Sequence, residues 1–152
     1  MINNFMLVQA TVHDVEDAAP LFDQYRVFYG QESDVVSARA FLFDRLVARE
    51  SIIFIIKDRT NQKAVGFMQL YPSYSSISLQ RSWILNDLYV AEEYRGKGVA
   101  QQLLDEAKKY AGACSAKGIE LATAQDNVRA QQLYERNGYE KDQAFYHYYL
   151  TL

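Results

Sequence analysis

The chain has 152 residues with a hydrophobic fraction of 49%, which is enough for one globular domain with a sizeable core. Its net charge of −3 gives no support to nucleic-acid binding, and its 2 distant histidines without a cysteine cluster make a metal site unexpected. The single cysteine excludes an internal disulfide, and the lack of a transmembrane run or a signal-peptide pattern predicts a cytoplasmic protein without a membrane partner.

The first half of the chain alternates helical and strand patterns. Its predicted elements, in order, are a strand at 5–11, a helix at 13–29, a second helix starting near residue 33, and the two strands of a hairpin at 51–57 and 64–71. Pro20 is expected to kink the first helix or delay its start, and Ser33 or Ser37 is expected to cap the second. A loop is expected at 72–76.

The segment 83–104 is the most informative part of the chain. Residues 83–90 are aromatic and aliphatic, as in a mostly buried strand, and helically spaced apolar residues follow from Val99. Between them lie Gly96 and Gly98, each preceded by a basic residue. The first N–H groups of a helix lack intrahelical partners, and glycine lets an anion approach the backbone, so this junction predicts a phosphate site. An ordinary glycine-containing turn is the alternative, and the spacing fits neither a Walker A loop nor a Rossmann fingerprint.

The last third of the chain is predicted to add three strands and a short helix. Strands are expected at 119–124, 139–141 and 145–152, with a helix after Asn127. A strand, a helix and a strand in succession imply a right-handed crossover and a parallel pair. The order is therefore βααβββαβαββ, and residues 1–152 are predicted to form one α/β (α+β) domain with a mixed sheet of about seven strands and helices on both faces.

Two motifs make the chain resemble a known superfamily. They are Arg95-x-x-Gly98-x-Ala100 and, further on, Asn127-x-x-Ala130-x-x-Leu133-Tyr134-x-x-x-Gly138-Tyr139. With the strand that precedes the first, and in this order, they resemble the pyrophosphate loop and the second cofactor segment of the GNAT superfamily of acetyl-CoA-dependent N-acetyltransferases. The first half looks most like the small-amine branch that includes the polyamine acetyltransferases. The resemblance implies the GNAT fold, acetyl-CoA as the acetyl donor and no metal.

The resemblance also implies where acetyl-CoA binds. The residues implied to bind it are Leu88, Tyr89, Val90, Arg95, Gly96, Lys97, Gly98, Val99, Ala100, Asn127, Ala130 and Tyr134. The central strand and the next parallel strand would part, and the backbone of Leu88 and Val90 would pair with the pantetheine arm as an extra strand does. The amides of residues 96–100 would hold the pyrophosphate. Asn127 is alternatively a plain helix N-cap.

The implied catalytic residues are Tyr134 and Asn86. Tyr134 matches the family's general acid, which protonates the leaving thiolate, although a packed pair with Leu133 is the alternative. Some relatives carry a glutamate base at the position of Asn86, which cannot take up a proton but could hold a water. Asp87 is expected to be a structural carboxylate bonded to backbone, on the opposite face of the strand from Asn86.

The acceptor is expected to enter between the first two helices and the 71–76 loop. The candidate residues are Tyr25, Tyr29, Glu32, Asp34, Tyr71 and Tyr74. Carboxylates would attract a cationic amine and aromatic faces would hold it by cation–π contact, whereas a solvated turn beside core aromatics is the alternative.

Three functions follow from these patterns. The leading one is an N-acetyltransferase that acts on a primary amine of a small molecule by direct attack in a ternary complex. The alternatives are a protein or peptide N-acetyltransferase and a non-catalytic acetyl-CoA sensor. The long apolar strand at 145–152 would form an exposed edge, which predicts a homodimer through the C-terminal strand.

Overall fold

The structure is a computed structural model that describes residues 3–152 in two compact units. The N-terminal unit ends at Leu121 and the C-terminal unit begins at Ala122. The β-strands are β1 Phe5–Gln9, β2 Ile52–Asp58, β3 Ala64–Ser75, β4 Gln80–Val90 and β5 Ile119–Glu120. The α-helices are α1 Val15–Phe28, α2 Val35–Val47, α3 Val99–Ala113 and α4 Val128–Arg136, with short 3-10 turns at Val12–Asp14 and Glu92–Tyr94. That one domain spans the whole chain stays a prediction.

The five strands form one mixed sheet in the order β1-β2-β3-β4-β5. The first three pairs are antiparallel, and β4 pairs with β5 in parallel. The predicted α/β fold and its hairpin are therefore confirmed. The expected loop at 72–76 is wrong, because β3 continues to Ser75 with its backbone paired to Gln80 of β4.

Helices cover both faces of this sheet, as the sequence predicts. On one face, Phe22 of α1 and Leu42 of α2 join Phe67 of β3 in a buried cluster. On the other face, Val99 and Leu103 of α3 lie over β3. Successive residues of a strand point to opposite faces, so nearly continuous apolar strands such as β2 serve both layers.

In residues 3–121 the sheet has five strands, and the C-terminal segments that were predicted to supply two more contain no strand in the described part of the chain. Residues 139–141 and 145–152 carry no regular secondary structure, and β5 ends at Glu120 instead of continuing to residue 124. The side chains of Tyr146 and Tyr149 are 92% and 93% exposed. An alternating aromatic pattern shows that the side chains would suit a strand. A strand forms, however, only where a neighbouring backbone provides hydrogen-bond partners.

The turn between α1 and α2 is organised by two aspartates. Asp34, and neither Ser33 nor Ser37, caps α2 by accepting a hydrogen bond from the Ser37 backbone N–H at 3.0 Å. Asp23 is buried, and it accepts from Ser33 Oγ at 2.6 Å and from the Asp34 N–H at 2.7 Å. Pro20 lies within α1, which begins after a capping box between Thr11 and Asp14. These bonds fix where the two helices meet.

Candidate active site

The central feature of the site is an irregularity in β4. Gln69 on β3 pairs with Asp87, but the next residue, Leu70, pairs with Leu85, so Asn86 is an extra residue without a partner on β3. Such a β-bulge bends the strand and shifts its register by one residue. Upstream of the bulge β4 pairs with β5, at Trp83 and Ile84 only.

Downstream of the bulge, alternate backbone groups of β4 point away from β3, and the outward carbonyls of Asn86 and Val90 accept side-chain hydrogen bonds from Tyr25 and Arg95. The Ala91 N–H donates to the Val65 carbonyl of β3 at 2.8 Å, so alternate residues from Asn86 to Val90 direct their N–H and C=O groups away from β3. No strand pairs with this edge in residues 3–121. Leu88 and Val90 are thus at the edge where the sequence places a pantetheine arm.

Arg95 ties the end of β4 to the turn that follows. Its Nε donates to the Val90 carbonyl at 3.0 Å. Its guanidinium lies 5.6 Å from the ring centroid of Phe28 and 5.4 Å from that of Tyr89. Two stacking partners and a backbone bond hold this side chain in place, so Arg95 positions the turn, and its contact with a cofactor stays a prediction.

The turn is followed by the N-terminus of α3, which begins after Gly98 without a side-chain cap from any described residue. Gly96 and Gly98 have φ angles of 75° and 83°, a conformation that favours glycine, and a Cβ on either would meet no described atom within 4 Å. Among residues 3–152 no side chain caps α3 at Gly98. Its first N–H groups and the helix dipole therefore make this end suitable for an anion such as a pyrophosphate.

A glycine that the sequence analysis missed sets the position of α3. A Cβ built on Gly66 of β3 would lie 2.7 Å from Val99 Cγ1 and 3.6 Å from Leu103 Cδ1. The start of α3 can approach the sheet this closely only because position 66 has no side chain. A glycine inside an apolar strand often marks such a close approach, and that was the available signal.

Under the bulge lies a buried polar cluster around Asp87, which is 3% exposed. Its carboxylate accepts from Gln69 Nε2 at 2.5 Å and from Asn86 Nδ2 at 3.2 Å, while the Tyr25 hydroxyl donates to the Asn86 carbonyl at 3.4 Å. Burial raises the pKa of Asp87, and the hydrogen bonds from Gln69 and Asn86 oppose the rise. Burial and the Asp87 charge also raise the pKa of Tyr25.

Two expectations for Asp87 are corrected by this cluster. Its hydrogen bonds come from side chains rather than from backbone. The side chains of Asn86 and Asp87 meet instead of pointing to opposite faces, because the bulge interrupts strand alternation between them.

The six candidate acceptor residues do not form one group. Tyr25 and Tyr29 lie together, with ring centroids 4.9 Å apart. Asp34 is engaged as the α2 cap, whose hydrogen bonds lower the pKa of its carboxyl. Glu32 is exposed in the turn, and the exposed Tyr74 accepts a hydrogen bond from Arg81 at 3.0 Å.

Tyr71 instead lines a pocket between α2 and β3. The pocket has a volume of about 500 Å³ and is lined by Phe41, Arg45, Arg49, Glu50, Tyr71 and Pro72. Its two arginines were missed in the sequence, since a charged residue near a helix end is usually solvated and its neighbours on the next element are not visible in the pattern.

The C-terminal unit contains the second motif. Asn127 caps α4 by accepting a hydrogen bond from the Ala130 N–H at 3.2 Å, which confirms its capping role. Tyr134 lies on α4, and its ring centroid is 5.8 Å from that of Tyr139 in an edge-on arrangement. The cofactor contacts of Asn127 and Ala130 and the catalytic role of Tyr134 stay predictions.

Two kinds of feature are absent from residues 3–152. No helix there is both long and apolar enough to cross a bilayer. No group of three or more His, Cys, Asp or Glu side chains is arranged to hold a metal ion in that part of the chain. Cys114 is exposed at the end of α3.

Comparisons with known proteins agree with this geometry. The family model "Acetyltransferase (GNAT) family" matches residues 16–139. An uncharacterised N-acetyltransferase of Bacillus subtilis, YhfO, is 49% identical over 144 residues, which is 95% of each chain. The crystal structure of a probable acetyltransferase superposes with a TM-score of 0.92 at 46% identity, covering 97% of each chain.

A more distant structure shares the fold alone. AAC(6')-Iy, in complex with the bisubstrate analogue CoA-S-monomethyl-acetylneamine, has a TM-score of 0.79 at 19% identity, covering 99% of this chain and 100% of the other. Enzymes of the matched family use acetyl-CoA. The chain therefore belongs to the GNAT family of N-acetyltransferases.

Proposed function

We propose that this acetyltransferase transfers the acetyl group of acetyl-CoA to a primary amine of a small molecule, by direct attack in a ternary complex. The observation that carries the proposal is the open edge of β4 leading directly into the bare N-terminus of α3. Acetyl-CoA, when bound, supplies an acetyl group activated as a thioester. An extended amide-bearing arm and a pyrophosphate are the two chemistries that these neighbouring features suit.

The proposed cofactor-binding groups follow from that edge and that helix end. The outward N–H and C=O of Leu88 and the N–H of Val90 bind the amides of the pantetheine arm, and a backbone N–H near Leu88 or Tyr89 polarises the thioester carbonyl. The N–H groups of residues 96–100, which include Lys97 and Val99, bind the pyrophosphate. Asn127 and Ala130 are assigned to the cofactor by their motif.

Proton movements are assigned to Tyr134 and Asn86. Tyr134 donates a proton to the leaving thiolate, an assignment that its motif supports. The exposed side chain of Asn86 holds a water that takes the proton of the attacking amine. Asp87 is a poor base for this step because it is buried and already accepts two hydrogen bonds.

The test is acetyl-CoA-dependent thiol release against a panel of polyamines, amino acids, aminoglycosides and short peptides. Tyr134→Phe is expected to lower kcat by about 10²–10⁴-fold, the usual contribution of a general acid, with little change in the calorimetric affinity for acetyl-CoA. Tyr139→Phe is the matched control, because it removes a hydroxyl from the ring packed against Tyr134. An unchanged kcat in Tyr134→Phe would remove Tyr134 from the mechanism.

We further propose that Tyr25, Tyr29 and Tyr71 present aromatic faces to the acceptor. Tyr25 and Tyr29 belong to the aromatic cluster that ends at Tyr89 on β4, and Tyr71 lies on the same face of β3 as Gln69. Phe substitutions should preserve acceptor KM if only the ring faces matter. Leu substitutions should raise it.

A homodimer in the cytoplasm completes the proposal. The support for a dimer is a run of apolar side chains exposed in the C-terminal unit: Phe145, Tyr146, Tyr148, Tyr149, Leu150 and Leu152. Sedimentation at micromolar concentration should give twice the monomer mass, and a monomer would refute this assignment. The exposed free thiol of Cys114 fits a reducing compartment.

A further inference from the structure

We propose that Tyr94 is a positioning residue for acetyl-CoA, because its hydroxyl holds residues 94–98, called the anion turn, against the end of β2. The inference rests on the proposed cofactor site and adds to it the contact that fixes the site in place. Tyr94 itself need not touch the cofactor. It acts by fixing the backbone N–H groups that the pyrophosphate would bind.

The anion turn has few contacts of its own to hold its shape. Gly96 and Gly98 have φ angles of 75° and 83°, and glycine has more conformational freedom than any other residue. Within residues 3–152, the N–H groups of Gly96, Lys97 and Gly98 donate to no backbone carbonyl. The position of these groups therefore depends on the residues that flank them.

Two consecutive side chains attach the anion turn to two different strands. Arg95 Nε donates to the Val90 carbonyl, at the end of β4. The Tyr94 hydroxyl donates to Asp58 Oδ2 at 3.1 Å, and Asp58 is the last residue of β2. In the sheet, β3 lies between β2 and β4, so the two attachment points are separated. Attachment at two separate points restricts rotation of the turn as well as its translation.

Asp58 is a fixed and ionised acceptor for the Tyr94 hydroxyl. Its Oδ1 accepts from the Thr60 N–H at 2.8 Å and from the Thr60 hydroxyl at 2.7 Å, while Asn61 Nδ2 donates to the Tyr94 oxygen at 3.3 Å. The bonds from Thr60 lower the pKa of Asp58, desolvation opposes them, and the Tyr94 hydroxyl lowers the pKa further. A hydrogen bond to an ionised carboxylate is stronger than one between neutral groups.

The ring of Tyr94 makes separate contacts that do not involve its hydroxyl. It lies edge-on to Phe5 of β1, with 6.2 Å between the ring centroids. Lys97 Nζ lies 5.2 Å from the centroid of the Tyr94 ring, within the range of a cation–π contact. Tyr94→Phe keeps the ring and removes the hydroxyl, so this variant tests the bond to Asp58 alone.

The test is calorimetric binding of acetyl-CoA, with thiol release as a second readout. Tyr94→Phe is expected to raise the Kd and the KM for acetyl-CoA about three- to tenfold, the effect of one hydrogen bond, because binding must then order the turn. The kcat at saturating acetyl-CoA and the acceptor KM should stay at the wild-type values, as expected for a loss of uniform binding. An unchanged Kd would overturn the inference.

Two further variants separate positioning from a general loss of stability. Asp17→Asn is the matched control, because it breaks the 2.7 Å ion pair between Asp17 of α1 and Lys57, the neighbour of Asp58 in β2. It should leave the Kd for acetyl-CoA unchanged, and an equal rise in both variants would overturn the inference. Asp58→Ala removes the acceptor, so adding Tyr94→Phe to it should weaken binding no further. Additive losses would also overturn the inference.

Failure of the proposed function gives a different result from failure of the inference. If acetyl-CoA binds but no amine releases thiol, the proposed acetyl transfer fails, and the Kd of Tyr94→Phe still decides the inference. If thiol is released and Tyr94→Phe binds acetyl-CoA as the wild type does, only the inference fails. If the wild-type protein binds no acetyl-CoA, both are overturned.

Discussion

Gly66→Ala should disturb the anion site from the sheet face on which α3 packs. The new Cβ would lie 2.7 Å from Val99 Cγ1, whereas ordinary contacts begin at 3.4 Å, so one of the two must move by 0.7 Å (3.4 minus 2.7) or more. Val99 is 1% exposed and β-branched, which prevents its side chain from rotating away. The first turn of α3 has to move instead.

Two quantities should therefore change together in Gly66→Ala. Overpacking of this kind typically costs about 1–3 kcal/mol, which urea unfolding would show as a lower midpoint at constant m-value. The first N–H groups of α3 would shift by a distance that matters to hydrogen bonding, so the calorimetric affinity for acetyl-CoA should fall about tenfold. Gly112→Ala is the control, because its Cβ meets no described atom within 4 Å and should stabilise the helix by up to about 1 kcal/mol.

A second substitution identifies the clash as the cause. Val99→Ala removes the atom that Gly66→Ala would strike, so the double variant should bind acetyl-CoA nearly as well as Val99→Ala alone. The reasoning is refuted if Gly66→Ala unfolds and binds as the wild type does, or if its defect persists in the double variant.

Three further predictions concern the cluster, the turn and α4. Because burial raises the pKa of Asp87, its carboxyl keeps a proton to higher pH in the folded protein than in the unfolded chain. The free energy of unfolding should therefore fall as the pH rises between the two pKa values, by up to about 1.4 kcal/mol per pH unit. Asp87→Asn should remove this contribution, and identical stability-versus-pH slopes in urea unfolding would contradict it. Gly98→Ala should lower the free energy of unfolding by about 1–2 kcal/mol, because the φ of Gly98 is 83°. An unchanged urea midpoint would argue against strain at this position. Asn127→Ala should lower the stability of α4 by about 0.5–2 kcal/mol, whereas Asn127→Asp should keep the cap. The α4 amides of Asn127→Ala should therefore exchange hydrogen faster than those of Asn127→Asp, and equal exchange rates would disprove the prediction.

Elements whose burial is periodic could be predicted from the sequence. α3 was expected at nearly its observed position, since the spacing of its apolar residues reports which side of the helix faces the sheet. β2 was also expected near its observed position, because a continuous apolar run predicts a strand that is buried on both faces. The glycines before α3 were also identifiable, because left-handed turns at a helix start favour one residue type. Conversely, the segment 145–152 has a strand-like sequence pattern but forms no strand, because a side-chain pattern does not provide the neighbouring backbone with which a strand pairs.

The missed parts of the site depend on contacts between distant residues. A one-residue bulge at Asn86 leaves no trace in apolar spacing, so the meeting of its side chain with Asp87 was not foreseeable. The residue that caps α2 was ambiguous in the sequence, because several polar residues lie close together at the start of the helix. Asp34 is the cap in the structure, where its own N–H is held by the buried Asp23. Arg45 and Arg49 line a common pocket only because the fold brings Tyr71 of β3 beside them.

The extra residue in β4 makes one strand serve two purposes. Upstream of Asn86 the outer edge pairs with β5, and downstream no strand within residues 3–121 pairs with the same edge. Deleting this residue would shorten the chain by one position without removing any apolar residue, yet it would exchange the bonded and open edges of everything from Asp87 to Val90. Chain length at this point is therefore as constrained as any side chain, and an alignment that places a gap here would join proteins with different open edges.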